Sequence, residues 1–227
     1  MPTRQRSTTA SEFAPSTVPS GSRTTLVASG LALGAIGVAS VLLWHPWPTR
    51  DRFGYGDIAP IRDAMWQAIV IDAIAFCVMA LTLSIVVCGL ARTRGAVLAT
   101  IGAVITTLGG IAFAMGEFGF VAVAWYATEP DAVSVAEGTE LLAYSVDHPE
   151  HGMVVQMAGF LLFTIGSLLL VIALIRARSV PLWLPIAFIV LVVAQFAPVP
   201  SRILDFVQVA LMALIVALAW MFHRSRV

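Results

Sequence analysis

This sequence has little charge, only two cysteines and no lysine at all. Charged residues make up 11% of its 227 residues, whereas hydrophobic residues make up 59%, and the mean hydropathy is +0.92. A soluble globular domain averages about 25% charged residues, so this composition excludes an ordinary water-soluble domain. The thirteen basic residues are all arginines, scattered in ones and twos, which excludes the continuous basic surface that nucleic-acid binding requires.

The sequence also lacks the short motifs of common catalytic sites. It contains no phosphate-binding glycine loop, no serine nucleophile elbow and no zinc-protease motif. Cys77 and Cys88 lie in one apolar run, about 16 Å apart on a straight helix, which is too far for a disulfide between them. We therefore predict no catalytic residue, and we interpret both cysteines as packing residues.

Long apolar runs are what this sequence does contain. About 20 apolar residues in a helix cover the roughly 30 Å hydrocarbon core of a bilayer. We therefore predict an all-α, polytopic transmembrane helix bundle. Its six predicted spans are about 24–44, 65–90, 95–116, 152–174, 180–197 and 203–222.

The third predicted span has an ambiguous end, because apolar residues continue past Glu117 to Ala127. The span is either one long, tilted helix or a shorter helix that is followed by an interfacial segment. The six spans form one transmembrane domain over residues 24–223. It follows a tail, residues 1–23, whose Ser, Thr, Pro and Arg content predicts disorder.

The segment at about 128–151 contains acidic residues and no basic residue. Thr128 followed by Glu-Pro-Asp is typical of a helix start, so we expect one or two short surface helices here. Arginines divide nine to four between the two sides of the predicted bundle. By the positive-inside rule both termini are cytoplasmic and the acidic segment is extracytoplasmic. The arginine-only basic composition favours a bacterium, and hence its plasma membrane.

Polar residues in the spans concentrate in their predicted outer halves. The candidate ion or proton sites are Asp72, Glu117, Gln156, Arg202 and Asp205, with Gln195 and Gln208 near them. Asp72 has only apolar neighbours, and a carboxyl in such surroundings pairs with a cation or stays protonated. We expect Arg202, which begins a span on the same side, to be its partner.

His148 and His151 form the candidate metal site. Their i, i+3 spacing places them on one helix face, and imidazole is a common zinc ligand. The same segment is also typical of a helix start, with Asp147 as the cap and Pro149 in the first turn. We therefore expect no cofactor, with a divalent metal at the two histidines as the alternative.

Three functions are compatible with these features. The first is a non-enzymatic membrane protein with a structural, regulatory or assembly role, whose partners are the lipid bilayer and a membrane protein or second copy of the chain. The second is a small transporter or an ion- or proton-binding protein that uses Asp72 and Glu117. The third is a membrane metalloprotein that uses His148 and His151. No nucleic-acid partner is expected.

Overall fold

The computed structural model describes residues 20–45, 54–92, 94–151, 153–198 and 200–225. Within these ranges every regular element is a helix. The α-helices are α1 (Ser20–Trp44), α2 (Tyr55–Ile58), α3 (Arg62–Leu90), α4 (Ala96–Ala127), α5 (Val135–Asp147), α6 (Met153–Ala177), α7 (Trp183–Ala194) and α8 (Ser201–Arg224). Residues 1–19 of the predicted tail lie outside the described part, and residues 20–23 belong to α1.

Five of the described helices are long and apolar enough to cross a bilayer, namely α1, α3, α4, α6 and α8. They lie close to the predicted spans and confirm the all-α transmembrane bundle. The fifth predicted span corresponds to α7, which has only 12 residues. At 1.5 Å per residue α7 is about 18 Å long, so it cannot by itself cover a core of about 30 Å.

The ambiguous end of the third span is a continuous helix. α4 has 32 residues and runs unbroken past Glu117 to Ala127, which corresponds to a length of about 48 Å. Such a helix is longer than the hydrocarbon core is thick, so it crosses the core at a tilt or extends beyond it. The residues that follow Glu117 are held by tertiary packing rather than by lipid alone.

A second, smaller core explains why α4 continues. This core joins α2, the first turns of α3, the last turns of α4, and α5. We call its buried residues the α5 layer. They are Ile58, Met65, Ile69, Val121, Ala124, Ala127 and Leu142. Ile69 also lines the internal cavity described below, so this layer closes one end of the transmembrane bundle.

Arg62 ties the α5 layer together at its polar edge. Its guanidinium contacts the Glu129 carboxylate at 3.1 Å and donates to the Thr128 carbonyl at 2.8 Å. Next to it, the Trp125 indole donates to Asp63 at 2.9 Å. These contacts join the start of α3 to the end of α4, so the two helices are fixed side by side and antiparallel.

The acidic segment contains the expected surface helix, but the predicted start of that helix is wrong. Thr128 caps the C-terminal end of α4, where its hydroxyl donates to the Ala124 carbonyl at 2.8 Å. The surface helix α5 begins seven residues later, at Val135. Its N-cap is Ser134, whose backbone N–H donates to the Glu137 carboxylate at 2.9 Å while its hydroxyl accepts from the Glu137 N–H.

This capping box makes the first turn of α5 sensitive to pH. The hydrogen bonds from the Ser134 hydroxyl and backbone lower the pKa of the Glu137 carboxyl. Because the folded pKa is the lower one, the cap stabilises α5 above the ordinary carboxyl range and loses this effect as pH falls through the lowered pKa. We expect Ser134→Ala to lower the protection of the amides in this turn against hydrogen exchange at neutral pH, and to reduce the change of that protection between neutral and acidic pH. Thr139→Ala, on the same exposed helix, should change neither, and equal exchange in the two variants would contradict the prediction.

α4 and α6 meet along glycines that repeat every seven residues, which we call the glycine seam. These are Gly102, Gly109 and Gly116 on α4 and Gly159 and Gly166 on α6. A Cβ atom at Gly109 would meet the Phe163 backbone nitrogen and would lie 2.8 Å from the Gly159 carbonyl. The two backbones are therefore in direct contact, as small residues permit between membrane helices. This contact fixes which α6 side chains face Glu117.

Candidate functional site

Asp72 and Glu117 lie at the same depth of the bundle. Asp72 follows the first residue of α3 by ten positions, and Glu117 precedes the last residue of α4 by ten. Because α3 and α4 are antiparallel neighbours, both residues lie about 15 Å along their helices from the end at which Arg62 meets Thr128 and Glu129. Their carboxyl groups are close enough to interact with each other.

The two carboxyl groups line an internal cavity of about 170 Å³, which we call the carboxyl cavity. All five long helices and α7 contribute to its wall. Most of the lining is apolar. Its polar side chains are Asp72, Glu117, Thr164, Ser167, Gln195 and Gln208. Gln195, which follows α7, and Gln208 on α8 thus bring two amides to the same cavity as the acids.

One oxygen of each acid is buried without a donor. Asp72 Oδ1 and Glu117 Oε2 are inaccessible and accept no hydrogen bond from the described residues. A buried polar atom without a partner costs about 1–3 kcal/mol, and more when it is charged. Two ionised carboxylates side by side would also repel each other. A proton shared between them, or a cation bound beside them, removes both penalties.

Arg202 does not form the expected pair with Asp72. It is exposed on the first turn of α8, and Glu117 is the group that interacts with Asp72. Asp205, one turn further along α8, contacts His45 Nε2 at 3.5 Å. This contact joins the end of α1 to α8.

Gln156 also lies outside the cavity lining. Its side chain and backbone pack against Gly116, the residue before Glu117. Gln156 therefore belongs to the contact between α4 and α6 and not to the cavity. The structure thus brings Asp72 and Glu117 together with Gln195 and Gln208, and it leaves Gln156, Arg202 and Asp205 apart from them.

His148 terminates α5. Its Nδ1 is 3.0 Å from the Tyr144 carbonyl oxygen, and its ring stacks on the Tyr144 ring with centroids 3.9 Å apart. The side chain of His151 lies outside the described part of the chain. Among the side chains that are described, no group of three or more His, Cys, Asp or Glu residues is arranged to hold a metal ion.

Sequence reasoning missed the aromatic part of this site. Four phenylalanines line the carboxyl cavity beside the acids, at positions 76, 113, 160 and 163. The sequence spacing does indicate two of these phenylalanines. Phe76 follows Asp72 by four residues, and Phe113 precedes Glu117 by four, so each acid shares a helix face with one phenylalanine.

The fold and the site together define a polytopic helical membrane protein with a carboxyl pair in an internal cavity. Comparisons with protein-family models, with curated proteins and with solved structures found no match to this chain. Any functional conclusion therefore depends on the chemistry of the cavity.

Proposed function

We propose that this protein is a small membrane transporter or ion-binding protein in which Asp72 and Glu117 bind and release a proton. The observation that carries the proposal is the half-buried carboxyl pair, in which one buried oxygen of each acid lacks a donor among the described residues. A proton that hydrogen-bonds one carboxyl to the other gives these oxygens a partner. Loss of that proton adds one negative charge to the largely apolar cavity and favours uptake of a cation.

This chemistry suits exchange of one positive charge for another. In the protonated pair the cavity carries no more than one negative charge, and a cation that enters replaces the proton without raising that charge. The amides of Gln195 and Gln208 can accept hydrogen bonds from the entering group and donate to a carboxylate. Ionisable groups inside transmembrane segments commonly mark such substrate and proton pathways.

The competing hypothesis of a structural or assembly role interprets the same pair as a polar tie between α3 and α4. The structural hypothesis requires that the carboxyl pair keep its proton, whereas our proposal requires that the pair release it.

We also propose, from the arginine distribution, that the membrane is a bacterial plasma membrane with both termini in the cytoplasm.

Infrared difference spectroscopy tests the proton site directly. The purified chain in lipid should show the C=O stretching band of a protonated carboxyl that disappears reversibly as pH is raised. We expect Asp72→Asn and Glu117→Gln each to remove or shift this band. Glu140→Gln, which changes an exposed acid on α5, should leave it in place. A titrating internal band that persists in both cavity variants would refute the assignment, as would the absence of any such band.

A further inference from the structure

The aromatic wall of the carboxyl cavity is continuous. The ring centroids of Phe76 and Phe113 are 4.4 Å apart, and those of Phe76 and Phe163 are 4.6 Å apart. Phe160 extends the wall, with its centroid 6.2 Å from that of Phe113. Three helices, α3, α4 and α6, therefore present one aromatic surface beside the two acids.

This surface does not suit a small inorganic cation. Divalent cations such as Ca²⁺ take six to eight oxygen ligands, and Mg²⁺ keeps several of its waters. Rings offer no lone pairs, but their faces attract organic cations, and their apolar area favours a hydrocarbon body. An acid and an aromatic ring one helical turn apart, repeated on two facing helices, supply a charge partner and an apolar wall together.

The volume of the cavity limits the size of its occupant. An engineered cavity of about 150 Å³ in another protein holds benzene, and the carboxyl cavity has about 170 Å³. A molecule of about six non-hydrogen atoms therefore fits. Its N–H groups would find acceptors in the carboxylates of Asp72 and Glu117 and in the amide oxygens of Gln195 and Gln208.

We propose that the carboxyl cavity binds a small protonated amine of about six non-hydrogen atoms with an apolar body, and that the amine enters as the carboxyl pair releases its proton. This inference depends on the proposed function, because the same two acids serve both. The ammonium hydrogen-bonds to the carboxylates, and the hydrocarbon lies against the phenylalanines. Charge is balanced by one proton leaving for each cation that enters.

Isothermal titration calorimetry of the full chain in mild detergent tests the inference. The probe is cyclopentylamine, which is protonated at neutral pH and has six non-hydrogen atoms, and the neutral control is cyclopentanol. We expect the amine alone to bind, with a heat that depends on the buffer because a proton is released. Phe113→Leu and Phe160→Leu should each weaken binding by about tenfold. Phe206→Leu, which alters an exposed ring on α8, should have no effect.

The outcomes separate this inference from the proposed function. Equal binding of amine and alcohol would overturn the inference, as would amine binding that is unchanged in both cavity phenylalanine variants. Binding of sodium ions but not of the amine would overturn it while leaving the proton site intact, provided the infrared carboxyl band still titrates. If that band is absent, the proposed function fails as well. Two phenylalanine positions are used so that one poorly folded variant does not decide the result.

Discussion

At a pH above the titration of the infrared carboxyl band, where the native pair has lost its shared proton, Asp72→Asn is expected to make the protein more stable, and it should abolish the exchange of that proton for a cation. The amide introduced at position 72 can donate to the Glu117 carboxylate, which gives a partner to an oxygen that has no donor among the described residues of the native chain. The substitution also removes the repulsion between two acids. Relief of one unsatisfied buried group is worth about 1–3 kcal/mol. For a chain of this size each kcal/mol corresponds to a rise of about 2–4 °C in the unfolding midpoint.

Thermal unfolding in one detergent, with near-ultraviolet circular dichroism as the readout, measures this shift. Asp131→Asn is the matched control, because it makes the same chemical change at an exposed residue and should leave the midpoint unchanged. Glu117→Gln should behave like Asp72→Asn, since an amide on either side completes the same hydrogen bond. A lower midpoint in both cavity variants would instead support the structural-tie hypothesis.

The direction of the shift is informative because it separates two reasons for keeping an acid inside a membrane protein. A structural tie is retained for its contribution to stability, so its removal destabilises the fold. A functional site commonly lowers stability in exchange for activity, so its neutralisation stabilises the fold. We expect the arrangement of Asp72 and Glu117 to be of the second kind, because each leaves a buried oxygen without a donor among the described residues.

The bundle could be predicted from sequence because its signal is composition and length. Runs of about 20 apolar residues have few alternatives to a membrane helix, and the ends of α1 and α3 agree with prediction to within about four residues. The limit of this signal is α7. Its apolar run predicted a full span, but hydropathy does not show that turns at both ends reduce the helix to 12 residues.

The depth of the two acids could also be predicted, but their pairing could not. Hydropathy places Asp72 and Glu117 within apolar runs, and the polar residues of the outer halves suggested a shared region. Which of them meet depends on helix rotation, and a rotation of half a turn would have faced Asp72 toward lipid. Arg202 was the expected partner on charge alone. The start of α8 instead leaves Arg202 exposed, whereas Asp205 reaches His45.

Two further local signals in the sequence indicate features of the structure that the predictions above do not include. Ser134 followed by Glu137 is a capping box, a more specific helix start than Thr128 followed by a proline. The second signal is the repeat of glycines every seven residues, which occurs on the spans that form α4 and α6. Such a repeat places all glycines of one helix on one face, so it predicts a close helix contact, and it would have paired α4 with α6.

The glycine seam gives the second large expected effect. Gly109→Leu and Gly159→Leu should each prevent normal packing of α4 against α6, because a Cβ atom at either position meets backbone, which cannot move aside as a side chain can. Overpacking a filled site costs about 1–3 kcal/mol when side chains can adjust. We expect a loss above that range here, visible as a large fall in monodisperse protein on size-exclusion chromatography.

Gly119→Leu is the matched control, because Gly119 lies on the same helix and a Cβ atom there meets nothing within 4 Å. It makes the same change in helix propensity and in bulk, so any difference between it and Gly109→Leu reports the contact with α6. Gly109→Ala should be intermediate, since it adds only the first carbon of that side chain. If Gly109→Leu and Gly119→Leu were equally well folded, α4 and α6 would not be in backbone contact. The rotation that turns Glu117 toward Asp72, and with it the carboxyl cavity, would then lose its support.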